Sequence, residues 1–262
     1  MFVPILAYHK IQDNFDFSIT RISPRSFERQ VRHLSELGYS SISIVDYLAG
    51  HSQGRKNVII TFDDAYESVF TQALPILSKY HFRATIFPIS DYVGRWNDWD
   101  YNPFRIRSKH CNWTQLATLV AEGWEIGSHT STHRMLRALT TKQIWSELKE
   151  SRVRMEDKLA CPVHIISYPF GRFDTRVLNL AKAAGYHGGC TLGYTLKDKS
   201  FESFVLTRRG VYLREPLNLF RVKLKDNLWS HHDDVKQRAI TFCSQASVFL
   251  RYLQYGNKNY LD

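Results

Sequence analysis

The chain has 262 residues, a 44% hydrophobic fraction and a formal net charge of +10, which favours one sizeable folded domain and excludes a disordered composition. The charge would suit an anionic partner such as a membrane surface, but there is no long Lys/Arg run, no glycine-rich phosphate loop and no nucleic-acid-binding motif. Nucleic acid is therefore not an expected partner. Cys111, Cys161, Cys190 and Cys243 are scattered without a CxxC pair, which argues against a thiolate zinc site or a disulfide framework and for free thiols.

Along the chain, short β-rich runs alternate with helical patterns. MFVPILAYHKIQ is too short in its apolar stretch, and lacks the basic start, to read as a signal peptide. No window reaches the apolar length of a membrane span; a soluble, cytoplasmic protein is the expectation. Val3 to Tyr8 reads as a strand. Ser23-Pro24 opens a helix with Ser as N-cap, and Gly38 closes it. Ser41 to Val45 reads as a short strand and Asn57 to Phe62 as a buried one. A helix from Tyr66 to Tyr80 should be kinked or split at Pro75. Ala84 to Ile89 is the next strand, and Ser90 to Cys111, with Trp96 and Trp99, a long polar and aromatic loop.

Asn112 caps a helix through Val120, and Trp124 to Gly127 is a strand leading to His129. Thr140 with Gln143 forms a capping box for a helix to Leu159. Val163 to Tyr168 is a strand, Asp174 to Ala184 a helix, and Gly188 to Leu192 and Phe204 to Arg208 two more strands. The expected domain covers residues 1–225. Residues 226–262 read as a charged linker and one helix, Asp234 to Leu253, packed on or appended to it. Such strand–helix alternation predicts a parallel α/β architecture, a barrel or a doubly wound sheet.

Two segments carry candidate chemistry. Thr61-Phe62-Asp63-Asp64 sets two acids at the C-terminal end of an apolar strand, where sites assemble in parallel α/β folds. One acid can ligate a metal while the other faces a water; an Asp pair is also common at a helix N-cap. His129-Thr130-Ser131-Thr132-His133 places two imidazoles at i and i+4, on one face if the segment is helical. Together they offer a carboxylate and two imidazoles with positions left for water and substrate. Zinc suits this set, as do iron, cobalt and nickel.

TFDDAYES and HTSTH, in this order, resemble the first two motifs of the NodB-type polysaccharide deacetylases, carbohydrate esterase family 4. VPILAYHKI, SPRSFERQVRHLSELGY, LPILSKYHFRATIF, WTQLATLVAEGWEIGSHTSTH and SYPFGRFD extend the resemblance from Val3 to about Val211. It implies a distorted (β/α) barrel of about seven parallel strands. It also implies one divalent ion on Asp64, His129 and His133, with Asp63 as general base toward the attacking water. Many members carry the catalytic acid in a late Leu-x-His motif, which this chain lacks; His231 and His232 lie in a polar WSHHDD context. The circularly permuted subgroup acting on poly-N-acetylglucosamine carries that His early, after a Tyr, as Tyr8-His9 does here, so His9 is the candidate acid.

Tyr168-Pro169-Phe170-Gly171 resembles the third motif, in which the Phe170 backbone N–H would help hold the oxyanion and the ring would wall the groove. Where the family often has an arginine orienting the catalytic aspartate, this chain has about Ser167; Arg208 or Arg209 is the candidate substitute. Ala65 replaces a frequent glycine, a change tolerated if its φ is negative. The resemblance implies a carbohydrate N-deacetylase acting on an N-acetylated glycan or sugar precursor. An O-acetyl esterase and a catalytically silent glycan-binding relative are the alternatives.

Overall fold

The computed structural model describes residues 2–14, 18–52, 56–97, 107–192, 199–213 and 215–225. The expected helix at Asp234 to Leu253, Trp99, His231, His232 and Cys243 lie outside the described residues. Among the described residues, seven parallel strands form a nearly closed barrel with helices outside. They are β1 (Ile5–Tyr8), β5 (Asn57–Asp64), β6 (Thr85–Pro88), β7 (Glu125–Ile126), β8 (Ile165–Ser167), β9 (Gly188–Leu192) and β10 (Leu206–Gly210). Their spatial order follows the chain, because β1 pairs with both β5 and β10. A short pair, β2 (Lys10–Ile11) and β3 (Arg21–Ile22), lies apart, and β4 (Ser40–Ser41) adds to β5. No helix among the described residues is long and apolar enough to cross a membrane.

Closure occurs where β7 ends. The Gly127 N–H donates to Ile86 O on one side, and the Ser128 N–H donates to Ile165 O on the other. The chain can pass between β6 and β8 there because residue 127 has no side chain. A Cβ on Gly127 would stand 2.2 Å from the Phe87 ring and 3.0 Å from Ile165 O.

Alternation along each strand divides the core. Ile5, Ile59, Phe87, Ile165, Cys190 and Leu206 pack together, while Leu6, Val58, Ile60, Phe62 and Ile86 belong to a separate layer shared with the helices. Both faces of β5 are thus covered, which explains its unbroken buried run. Helix α1 (Pro24–Glu36) supplies Phe27, Val31 and Leu34 to the outer layer. It begins where Ser23 Oγ accepts the Ser26 N–H, and the chain turns away at Gly38, φ 75°.

The expected strand Ser41 to Val45 is only Ser40–Ser41, and Ile44–Leu48 form α2. Two acceptors nucleate that helix: Ser43 Oγ takes the Asp46 N–H, and the Glu125 carboxylate takes those of Ile44 and Val45. Ile44 packs with the barrel-interior residues, so α2 plugs the end opposite the strand C-termini. The expected helix from Tyr66 is split as anticipated at Pro75, into a π-helical turn Val69–Ala73 and α3 (Leu74–Lys79). Helices α4 (Trp113–Ala121) and α5 (Thr141–Leu159) open at the caps read from sequence, Asn112 and the Thr140–Gln143 box, and Gln115 completes a second box at Asn112. Then come α6 (Thr175–Ala183) and α7 (Leu217–Lys223), the latter not anticipated.

Candidate metal centre and active site

Asp63 and Asp64 end β5 and diverge, because Asp64 leaves the strand at φ 65°. Asp64 Oδ1 then lies 3.5 Å from His129 Nε2 and 3.7 Å from His133 Nε2. All three residues are buried, and their ligand atoms lie within 4.8 Å of one another. Two donors bound at about 2.1 Å with tetrahedral angles sit roughly 3.4 Å apart, so the spacing fits one ion. The protonation states fit as well. The His129 Nδ1–H donates to Ser167 O at 2.7 Å, leaving the Nε2 lone pair facing Asp64. Burial lowers the affinity of both imidazoles for a proton, that of His133 strongly, which keeps them in the neutral form a metal requires.

The histidine pair is not helical, so the condition for a shared helix face is not met, yet both imidazoles reach Asp64. Thr130 and His133 have φ of 68° and 60°. The segment is a tight loop closed by the His133 N–H donating to Thr130 Oγ1 at 3.0 Å. The rings approach at 4.7 Å between centroids, nearly edge to face.

Asp63 turns inward and meets Arg208. Nη1 donates to Oδ1 and Nη2 to Oδ2, both at 2.7 Å. The same guanidinium donates to Thr61 Oγ1 at 3.1 Å and to Ser167 Oγ at 2.8 Å. Ser167 thus accepts from the arginine that β10 supplies. Burial alone would raise the Asp63 pKa; the Arg208 charge and fork outweigh it and hold the carboxyl well below its usual range. Alternation sends Arg209 outward, where Nη1 donates to Lys223 O and Lys225 O at 2.7 and 2.6 Å. Of the two candidate arginines, only Arg208 is placed to orient Asp63. The strand carrying both runs from Leu206, two residues later than expected.

His9 follows β1, with Nε2 3.9 Å from Asp63 Oδ2. Burial lowers its pKa to about 4, against the opposing pull of Asp63. Phe170 lies in a turn at the end of β8 with φ 57°, its ring 4.8 Å from that of His133. Tyr168 instead buries its ring in the outer apolar layer, 5.2 Å from Phe173, and Pro169 is buried. Phe170 is the member of that segment in contact with the ligand set. Ala65 has φ 53°, so the condition for painless replacement of glycine is not met. Sequence reasoning also missed His110, whose Nδ1–H donates to Asp64 O at 2.6 Å and whose ring stacks on Tyr66. Nothing in the local sequence marks it, because the contact spans 46 positions.

A parallel barrel with a carboxylate–imidazole set at its C-terminal rim is an arrangement that could hold one catalytic divalent ion. Residues 50–189 match the family profile for polysaccharide deacetylases, and the chain belongs to that family. YxkH of Bacillus subtilis (strain 168), named for the same family, is 31% identical over 193 residues, 72% of this chain and 64% of that protein. The poly-beta-1,6-N-acetyl-D-glucosamine N-deacetylase of Staphylococcus epidermidis is 23% identical over 211 residues, 76% of this chain and 68% of that one. The chain thus spans about two thirds of the length of these relatives. A crystal structure of a polysaccharide deacetylase from Bacillus cereus superposes with a TM-score of 0.73 at 26% identity, covering 85% of this chain and 69% of that one.

Proposed function

We propose that the protein is a metal-dependent N-deacetylase that hydrolyses the acetamido group of an N-acetylated glycan to acetate and a free amine. The observation that carries this reading is the Asp63–Arg208 fork, set between the ligand cluster Asp64, His129 and His133 and the imidazole of His9. Those three residues would hold one divalent ion, zinc by donor preference, which when bound polarises the acyl carbonyl and lowers the pKa of water.

The chain's own groups account for the protons. Asp63, kept ionised and fixed by Arg208, accepts a proton as the water oxygen bonds to the acyl carbon. The C–N bond then breaks, and the departing nitrogen takes a proton from His9. With its pKa lowered to about 4, His9 is neutral at rest and cannot donate from that state. It gains the proton that Asp63 has accepted once substrate binding draws its Nε2, 3.9 Å from Oδ2 in the free protein, within hydrogen-bond reach, and passes it on. Phe170, at the turn beside His133, presents its backbone N–H to the oxyanion, as the family resemblance implies. The substrate class is supported by the staphylococcal relative, whose name specifies a poly-N-acetylglucosamine.

Acetate release from N-acetylglucosamine oligomers tests the reading. Activity should vanish on chelation and return with zinc. His9→Ala should depress amide hydrolysis far more than hydrolysis of an activated acetate ester, whose leaving group departs without protonation. Turnover of acetylated xylan alone, with none on the oligomers, would establish an O-acetyl esterase instead.

A further inference from the structure

A helix packed on a barrel is expected to present an apolar stripe, and Ile144, Leu148, Met155 and Leu159 of α5 do so. Glu147, Ser151 and Arg154 run along the same helix at i, i+4 and i+7. Glu147 and Ser151 are buried, at 5% and 0% exposure. All three grip the segment bearing the histidine pair. Glu147 Oε2 accepts the Ser131 N–H at 3.0 Å and the Thr132 N–H at 2.9 Å, and Oε1 accepts the Thr132 hydroxyl. Ser151 Oγ bonds to Ser128 Oγ at 2.9 Å, and Ser128 Oγ accepts the Thr130 N–H at 3.2 Å. Arg154 pairs with Asp91, whose N–H donates to Ser131 O at 3.1 Å.

The loop needs such help. With Thr130 and His133 both in left-handed backbone, it cannot satisfy its amides by helical bonding. Buried N–H groups without acceptors are unfavourable, and so is a buried carboxylate without donors. Each solves the other's problem, at the two residues midway between His129 and His133. We infer that Glu147 is a positioning residue for the metal centre: from α5 it fixes the loop that sets the distance and angle between the two imidazoles. This rests on the reading of Asp64, His129 and His133 as ligands.

Zinc affinity and stability of the metal-free protein separate this role from a merely structural one. With the 262-residue chain and a chromophoric chelator as competitor, Glu147→Ala should weaken zinc binding about 10–100-fold. Glu147→Gln, which keeps an acceptor oxygen for the two amides, should fall between Ala and wild type, and it decides the matter should Glu147→Ala fail to fold. Leu148→Ala is the control, because it hollows the outer apolar layer on the same helix and removes no hydrogen bond to the loop. Its metal-free unfolding midpoint should drop while its zinc affinity stays near wild type. Wild-type zinc affinity in the Glu147 variants, or an equal loss in Leu148→Ala, overturns the inference. Failure of the wild-type chain to take up zinc overturns the ligand reading, and this inference with it.

Discussion

Asp63 is held by opposing influences, and the balance sets what its variants will do. Burial disfavours the carboxylate, while the Arg208 fork stabilises it more. Arg208→Met should leave a buried acid without its counter-charge, destabilising the protein by about 3–5 kcal/mol. The acid limb of the kcat/KM–pH profile should then move to higher pH, because the Asp63 carboxyl protonates more readily. An unmoved limb would show that Asp63 does not titrate in catalysis. Asp63→Asn keeps the side-chain shape and should retain metal while turnover falls by roughly 10²-fold or more; equal loss of metal would make Asp63 a ligand. At the neighbouring position, Ala65 sits at φ 53°, a conformation costing a non-glycine residue about 1–2 kcal/mol. Ala65→Gly should stabilise the protein by about 0.5–1 kcal/mol, the strain relieved less the entropy glycine adds to the unfolded chain, and a lower unfolding midpoint would contradict the strain argument.

Among the elements, those with strong local signals were legible in the sequence. The Ser23-Pro24 start, the Asn112 cap, the Thr140–Gln143 capping box and the unbroken apolar run of β5 rest on neighbours within a few residues. So did Asp63, Asp64 and the two histidines, which follow strands and match family motifs. What failed depends on contacts distant in sequence. Nothing near Ile44 announces that the Glu125 carboxylate, 81 residues on, will cap a helix there. The loop geometry of His129–His133 was left open, because i, i+4 spacing can be served by a helix or by a left-handed turn. The choice between Arg208 and Arg209 needed the strand register, which alternation alone leaves open to a one-residue slip. Gly127 is the sharpest element-scale test. Gly127→Ala places a methyl 2.2 Å from the Phe87 ring, and should destabilise by about 3 kcal/mol or more by forcing β6 and β8 apart. A urea midpoint close to wild type would mean that the barrel does not close there.

For the whole molecule, the buried His129 and His133 and the largely covered His9 make the metal-free protein sensitive to acid. His9, His129 and His133 all have lowered pKa values, His9 to about 4. Between that value and the unfolded value near 6.5, the unfolded chain binds more protons than the folded one. The stability from keeping them neutral is therefore present above about pH 6.5 and is lost as pH falls toward 4. Each such histidine adds a slope of up to about 1.4 kcal/mol per pH unit. The urea midpoint of chelator-treated protein should fall steeply between pH 7 and pH 5, and a flat profile would contradict the burial of these groups. The central claim, that Asp64, His129 and His133 form one metal centre on which hydrolysis depends, is tested most directly by the zinc content of wild type and His133→Ala, with acetate release from N-acetylglucosamine oligomers measured on the same samples. One equivalent of zinc in wild type, with zinc and activity lost together in the variant, is the predicted result; full zinc occupancy in His133→Ala would contradict it.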